Sequence, residues 1–226
     1  MTYLLVTLML VSLAILLYFT YNPCKNYAGI FKTITSLLFV SISISGYIEY
    51  SGNFNYFVLI LIGLVFSLFG DVFLIFENGN STSMSKAFVY GLLSFSLAHV
   101  FFSIGFISIS SFNFSTIIYT VLMAFVALII LKSIKKIDFK GAFGYVAFYS
   151  VVISFMFTQS LNLYFNSSIN SFYILWVTVG ALLFVLSDLI LAFNYFYEGC
   201  HKIVGVFNLL VYFSAQLLIA LSVAYI

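Results

Sequence analysis

Apolar and polar positions follow one another along the chain in long blocks. Short polar or turn-forming segments such as YNPCKN, ENGNSTSMSK and KSIKKIDFK separate the apolar blocks. A helix needs about 20 mainly apolar residues to cross a bilayer. The pattern therefore predicts an all-α polytopic membrane protein with eight transmembrane helices, at approximately 3–21, 30–48, 56–76, 87–108, 115–133, 142–162, 172–194 and 203–225.

Composition supports this class. The 226 residues are 64% hydrophobic and 6% charged, with a mean hydropathy of +1.22, whereas a soluble domain carries about 25% charged residues. We interpret the chain as one transmembrane domain over 1–226. It contains no arginine and has a net charge of +2, so bidentate phosphate clamps are absent and no nucleic-acid partner is expected.

The lysines are distributed asymmetrically among the connections between the predicted helices. Every one lies in or beside an odd-numbered connection: Lys25, Lys32, Lys86, Lys132, Lys135, Lys136, Lys140 and Lys202. Cytoplasmic loops of membrane proteins carry an excess of lysine and arginine. We therefore expect both termini outside the cytoplasm, and we place the protein in the cytoplasmic membrane of a bacterium. The N-terminal apolar run lacks a charged region and a cleavage site, which favours a retained helix.

Two aspartates interrupt the apolar stretches in matching contexts. Asp71 lies in GLVFSLFGDVFLIF and Asp188 in GALLFVLSDLILAF, 117 residues apart. A carboxylate within a membrane helix costs about 2.5–3.5 kcal/mol on insertion scales and usually has a function. With the predicted topology, both aspartates lie at the same depth near the cytoplasmic boundary. Helix packing and an ion pathway are the alternative interpretations.

The 117-residue offset extends beyond the aspartates. Ala98-His99 matches Ala215-Gln216, and Leu92-Leu93 matches Leu209-Leu210. Four spans restore the starting side of the membrane, so the matches indicate two parallel four-helix halves, which commonly place a site at their interface. Chance similarity between apolar sequences of low complexity is the alternative.

Four further residues are candidates for substrate contacts. His99 and Gln216 lie within helices and could orient a water or a substrate oxygen; interhelical hydrogen bonding is the alternative. Lys32 could hold a phosphate as a point charge or serve as an interfacial anchor. Tyr149 could donate a hydrogen bond to a headgroup or to an aspartate, although tyrosines are also common as interfacial residues.

No metal or cofactor is expected. A zinc site needs three or four protein ligands, and the two histidines, His99 and His201, are far apart in sequence. Cys24 and Cys200 show neither metal-ligand spacing nor a disulfide framework, so we expect free thiols. The chain has no G-x-S-x-G, H-E-x-x-H, Walker or G-x-G-x-x-G motif, so serine-lipase chemistry has no support.

At the aspartates the chain resembles the lysoplasmalogenase (YhhN-like) family of membrane proteins. The stretch GALLFVLSDLILAFNYF is similar to the family signature, and GLVFSLFGDVFLIF, FVYGLLSFSLAHVFF, YSVVISFM and YFSAQLLIA support it in the family's order. Two positions depart from the pattern. Thr33 follows Lys32 where proline is usual, and Phe102 stands where tyrosine is common.

The resemblance implies an eight-helix hydrolase that cleaves the vinyl ether bond of lysoplasmalogens. The products would be a fatty aldehyde and glycerophosphocholine or glycerophosphoethanolamine. Asp71 and Asp188 could divide general acid and base roles, as two carboxyls do in glycoside hydrolysis, and the sequence does not assign the roles between them. Because both aspartates lie near the cytoplasmic boundary, we expect a single-chain lysophospholipid to enter from that leaflet. Its chain would extend between apolar helices, and its headgroup would lie near Lys32.

Two other functional classes fit the same residues. Paired intramembrane acids and parallel repeats occur in proton-coupled transporters, and a lipid-binding membrane protein could use the aspartates for packing. No feature of the sequence indicates an oligomeric state.

Overall fold

The structure is a computed structural model that describes residues 1–22, 25–77, 85–139, 141–166, 171–197 and 199–226. All eight predicted helices are present in these ranges, and each is long and apolar enough to cross a membrane. This confirms the predicted all-α, eight-helix class. Cys24, Lys140 and the side chain of Lys25 lie outside the described residues. The helices are α1 Thr2–Tyr21, α2 Lys25–Tyr50, α3 Phe54–Ile75, α4 Lys86–Ser108, α5 Ser115–Ser133, α6 Phe143–Asn166, α7 Ser171–Phe196 and α8 Lys202–Ser222.

Polar residues in the short connections fix where several helices begin. The side chain of Asn53 accepts a hydrogen bond from the backbone N–H of Tyr56, and that of Ser85 accepts one from Phe88, both at 3.1 Å. These bonds satisfy backbone donors that the first turn of a helix leaves free. The connections therefore stop one apolar helix and start the next, as the block pattern of the sequence predicts.

Contacts between connections define the two ends of the bundle. In the connection between α5 and α6, the backbone N–H of Asp138 donates to the carbonyl of Phe196 at the end of α7, at 2.9 Å. At the opposite end, the hydroxyl of Tyr56 at the start of α3 bonds to Ser222 at the end of α8, at 2.7 Å. We call the end that carries the odd-numbered connections the lysine end.

The packing of the helices is nearly the same in the two halves of the chain. In each half the first helix packs on the second, the second on the third and the third on the fourth; α4 also packs on α6, as α8 packs on α2. Adding four to each helix number converts one set of neighbours into the other. This arrangement supports the internal repeat that the sequence predicts, since the same four-helix unit is built twice.

Two glycines show that the repeat extends to atomic contacts. Gly63 on α3 lies against Phe102 and the carbonyl of Ala98, and Gly180 on α7 lies against Ile219 and the carbonyl of Ala215. All three pairs of equivalent residues are 117 positions apart. A Cβ atom at Gly63 would lie 2.5 Å from the Phe102 ring. A side chain at either position would press on the fourth helix of its half, so glycine is favoured at both.

Candidate active site

Asp71 lies near the lysine end of α3 in a sealed polar cluster. Lys32 of α2 places its Nζ atom 3.2 Å from Oδ1 of Asp71. Ser36, one turn further along α2, donates to Oδ2 at 2.6 Å, and the hydroxyl of Tyr212 on α8 donates to the same oxygen at 2.7 Å. Nε2 of Gln216 donates to the Tyr212 hydroxyl at 2.9 Å. This buried carboxylate is thus both ion-paired and hydrogen-bonded, as burial of a charge requires.

Asp188 lies at the corresponding place on α7 in a second cluster. The hydroxyl of Tyr149 on α6 donates to Oδ2 of Asp188. Nε2 of His99 on α4 is 2.8 Å from that hydroxyl and 3.8 Å from the same carboxylate oxygen. Three ionisable side chains from three helices therefore form a short hydrogen-bonded chain that ends at Asp188.

The two clusters are repeat equivalents of each other, but their chemistry differs. Lys32 and Tyr149, Asp71 and Asp188, and His99 and Gln216 form three pairs, each 117 residues apart. In both clusters the second helix of a half supplies a side chain to the aspartate on the third. An ion pair occupies the first site, whereas a tyrosine–histidine chain occupies the second. The duplicated scaffold thus carries one neutralised carboxylate and one carboxylate without a paired lysine among its described contacts.

A layer of aromatic rings separates the clusters. The ring of Phe184 on α7 lies edge-on to His99, with centroids 4.6 Å apart, and edge-on to Tyr212, with centroids 5.3 Å apart. Phe95 on α4 also contacts Tyr212 at 5.9 Å. The ring of Phe184 therefore contacts a residue of each cluster.

The second cluster opens into an apolar groove with an empty volume of about 610 Å³ including its mouth. Helices α4, α5, α6 and α7 form its walls, and Asp188 and Tyr149 lie midway along it. The other lining residues are Phe88, Leu92, Met123, Ala127, Leu131, Val146, Ser150, Ile153, Ser154, Val185, Leu189, Leu191, Ala192 and Phe196.

Exposure distinguishes the two aspartates. The side chain of Asp188 is 13% exposed, whereas that of Asp71 is 1% exposed. Only the Asp188 carboxylate forms part of the groove wall. A ligand in the groove would therefore meet Asp188 and Tyr149, and would be separated from Asp71 by protein side chains.

The six residues selected from the sequence thus divide between the clusters. Lys32, Asp71 and Gln216 belong to the sealed cluster, while His99, Tyr149 and Asp188 form the cluster at the groove. His99 and Gln216 are fully buried, and neither lines the groove. In the described ranges, no three His, Cys, Asp or Glu side chains are close enough together to hold a metal ion. Cys200 is a free thiol.

Sequence reasoning missed Ser36 and Tyr212, which both bind Asp71. Each lies four positions from a selected residue, Ser36 after Lys32 and Tyr212 before Gln216. Residues four apart lie on the same face of a helix, so this spacing was the available signal. Phe184 and Phe95 carried no comparable signal, because phenylalanine is abundant throughout the chain.

Known proteins are similar to most of this chain. The model of the YhhN family matches residues 27–223. Lysoplasmalogenase TMEM86A of Bos taurus is 31% identical over 167 residues, which cover 72% of this chain and 64% of that protein. The match thus spans less than two thirds of that relative's length. No solved structure matches the chain. Because the family model matches most of the chain, the chain belongs to the YhhN family.

Proposed function

We propose that the protein hydrolyses the vinyl ether bond of lysoplasmalogens within the membrane. The products would be a fatty aldehyde and glycerophosphocholine or glycerophosphoethanolamine. The observation that carries the proposal is the placement of Asp188: a carboxyl group bonded to Tyr149, midway along an apolar groove in the wall of a transmembrane bundle. Membership of the YhhN family and similarity to a protein named lysoplasmalogenase support this reaction class.

Asp188 can serve both proton-transfer steps of the reaction. In its protonated form it donates to the vinyl carbon that does not bear oxygen, which leaves an oxocarbenium ion next to the new carboxylate. The carboxylate stabilises the cation and then accepts a proton from the water that attacks it. The resulting hemiacetal collapses to the aldehyde, and the glycerol oxygen leaves with a proton. One water is consumed, and Asp188 returns to its starting state.

Tyr149 and His99 suit this cycle because the tyrosine hydroxyl can donate in two directions. It donates to Asp188 when that residue is ionised, and Nε2–H of His99 then donates to the hydroxyl oxygen. When Asp188 is protonated and donates to the tyrosine, the hydroxyl donates to Nε2 of His99 instead. The chain of hydrogen bonds thus accommodates both protonation states of the acid. His99 is fully buried, so it acts through Tyr149.

We assign Asp71 a positioning role. The sequence prediction divided acid and base between the two aspartates, but the ion pair with Lys32 and the burial of Asp71 favour placing both steps on Asp188. The Asp71 cluster instead holds Tyr212, whose ring packs against Phe184 and thereby against His99. Lys32 is already paired with Asp71 and is therefore not available to bind the headgroup. We place the lipid phosphate instead at the lysine end of the groove, where Lys132 directly follows the groove residue Leu131.

Release of fatty aldehyde from a lysoplasmalogen by the purified protein in detergent tests the proposal. Loss of a general acid lowers the rate by about 10²–10⁴-fold, so we expect the rate of aldehyde release to fall by this factor in Asp188→Asn. The folded fraction of Asp71→Asn should retain measurable turnover. Retention of the lipid without product would identify a lipid-binding protein, and uptake driven by a proton gradient would identify a carrier. Equal rates for the wild type and Asp188→Asn would refute the role of Asp188.

A further inference from the structure

We infer that the groove between α4 and α5 is the lateral entrance and binding channel for the single hydrocarbon chain of the substrate. We also infer that the position of α5 selects Asp188, and not Asp71, as the working acid. This inference rests on the proposed function and deepens it by naming the path and the residues that measure chain length. The repeat of helix contacts is broken where α5 would pack on α4.

The broken symmetry concerns the first helix of each half. The first helix of the first half, α1, packs on the fourth helix of the second half, α8. In an unbroken repeat, the first helix of the second half, α5, would likewise pack on the fourth helix of the first half, α4. No Cα atom of α4 lies within 8 Å of one in α5. The cleft that α1 fills beside the Asp71 half therefore stays open beside the Asp188 half. This difference accounts for the sealed environment of Asp71 and the partial exposure of Asp188.

The polar attachment of α5 lies at one end of the helix. Among the described helices, α5 packs only on α6. Thr120 bonds to Thr158 at 2.7 Å, and Thr116 accepts from Gln159 at 2.9 Å. Both bonds lie in the first turns of α5, away from the lysine end. The later part of the helix, from Met123 to Leu131, contributes the groove wall, so the wall beside α4 is formed by apolar side chains alone.

The occupant that fits this space is one hydrocarbon chain attached to a polar headgroup. Apart from Asp188, Tyr149 and two serines, every lining side chain is apolar. The reactive group lies midway along the groove, as the vinyl ether of a lysolipid requires, since that bond joins the chain to the glycerol. The headgroup would point to the lysine end, and the chain would extend to the part of the groove nearest the bilayer centre. Met123, Ser154 and Val185 line that part.

Chain-length dependence provides the test. Met123→Trp should fill the deep part of the groove, whereas Leu122→Trp on the lipid-facing side of the same turn is the matched control, since Leu122 is 55% exposed. With lysoplasmalogens whose chains have about eight and about sixteen carbons, Met123→Trp should lower the ratio of long-chain to short-chain turnover by about tenfold or more, because each buried methylene contributes to binding. Leu122→Trp should leave the ratio unchanged.

A second variant and a binding measurement separate this inference from the proposed function. Val185→Phe narrows the same segment from the opposite wall and should also lower the ratio of long-chain to short-chain turnover. This variant keeps the test valid if Met123→Trp does not fold. Binding of a saturated alkyl lysophospholipid, which has no vinyl ether to cleave, should weaken for the long chain in both groove variants even if no aldehyde is ever released. Equal effects of Met123→Trp and Leu122→Trp, or an unchanged preference in both groove variants, would overturn the inference.

Discussion

Lys32 and Tyr149 occupy the same position in the two halves of the protein, and each contacts the aspartate on the next helix. Nζ of Lys32 lies 3.2 Å from Asp71, and the hydroxyl of Tyr149 donates to Asp188. The lysine at one position and the tyrosine at the other thus contribute to the difference between an ion-paired carboxylate and one that is bonded to a hydroxyl. A second asymmetry, the open cleft beside α5, leaves the Asp188 carboxylate in the groove wall.

The ion pair between Lys32 and Asp71 should stabilise the fold, because each charge offsets the cost of burying the other. Asp71→Asn leaves a lysine without its counter-charge in a largely buried site, and breaking such a pair costs on the order of 3 kcal/mol. Adding Lys32→Met should recover part of this loss, with a coupling of about 1–3 kcal/mol. Thermal unfolding of both single variants and the double variant in detergent measures the coupling. Additive losses would contradict a structural ion pair.

The hydroxyl of Tyr149 should affect catalysis more than folding. We expect Tyr149→Phe to lower aldehyde release by about 10²-fold or more, because the ring remains while the proton path to Asp188 is lost. His99→Gln introduces the residue found at the equivalent repeat position and retains a hydrogen-bond donor. Its rate of aldehyde release should lie between those of the wild type and Tyr149→Phe. Tyr145→Phe is the control, since Tyr145 lies on the same helix and is 46% exposed. Wild-type turnover in Tyr149→Phe would exclude the hydroxyl from proton transfer.

The close contact at Gly63 should make that position intolerant of any side chain. Gly63→Ala would force the Phe102 ring and α4 away from α3, and overpacking of this kind costs about 1–3 kcal/mol. Gly144→Ala, on α6, is the matched substitution because no atom lies within 4 Å of the added Cβ, and it should stabilise its helix by up to about 1 kcal/mol. Opposite shifts in melting temperature are expected. A stable Gly63→Ala protein would show that α3 and α4 can separate without cost.

The lysine distribution predicts which end of the bundle faces the cytoplasm. Cys200 belongs to the lysine end, and in a Cys24→Ser background a membrane-impermeant maleimide should modify it only after the membrane is opened. Ser51→Cys at the opposite end, in a background without native cysteines, should be modified in intact cells. The reverse pattern of labelling would invert the predicted orientation and would place the mouth of the groove in the other leaflet.

The amount of structure that the sequence determined follows from the physics of the bilayer. Unsatisfied backbone groups are too costly in hydrocarbon for anything but helices or closed barrels, so apolar length alone specified eight helices. The same cost made Asp71 and Asp188 conspicuous, and the 117-residue offset related them. All six selected residues lie in the two aspartate clusters, because polar groups buried in an apolar bundle are costly unless they are hydrogen-bonded or paired.

The difference between the two aspartates was decided by tertiary structure alone. Their local sequences are nearly equivalent, and nothing in them indicates that Lys32 neutralises one while Tyr149 and His99 serve the other. Burial depends on whether the first helix of a half packs on the fourth helix of the other half. This holds for α1 on α8 and fails for α5 on α4. The helices α1 and α8 are far apart in the chain, whereas α4 and α5 are consecutive. Periodicity and spacing therefore do not indicate which of these two pairs packs together.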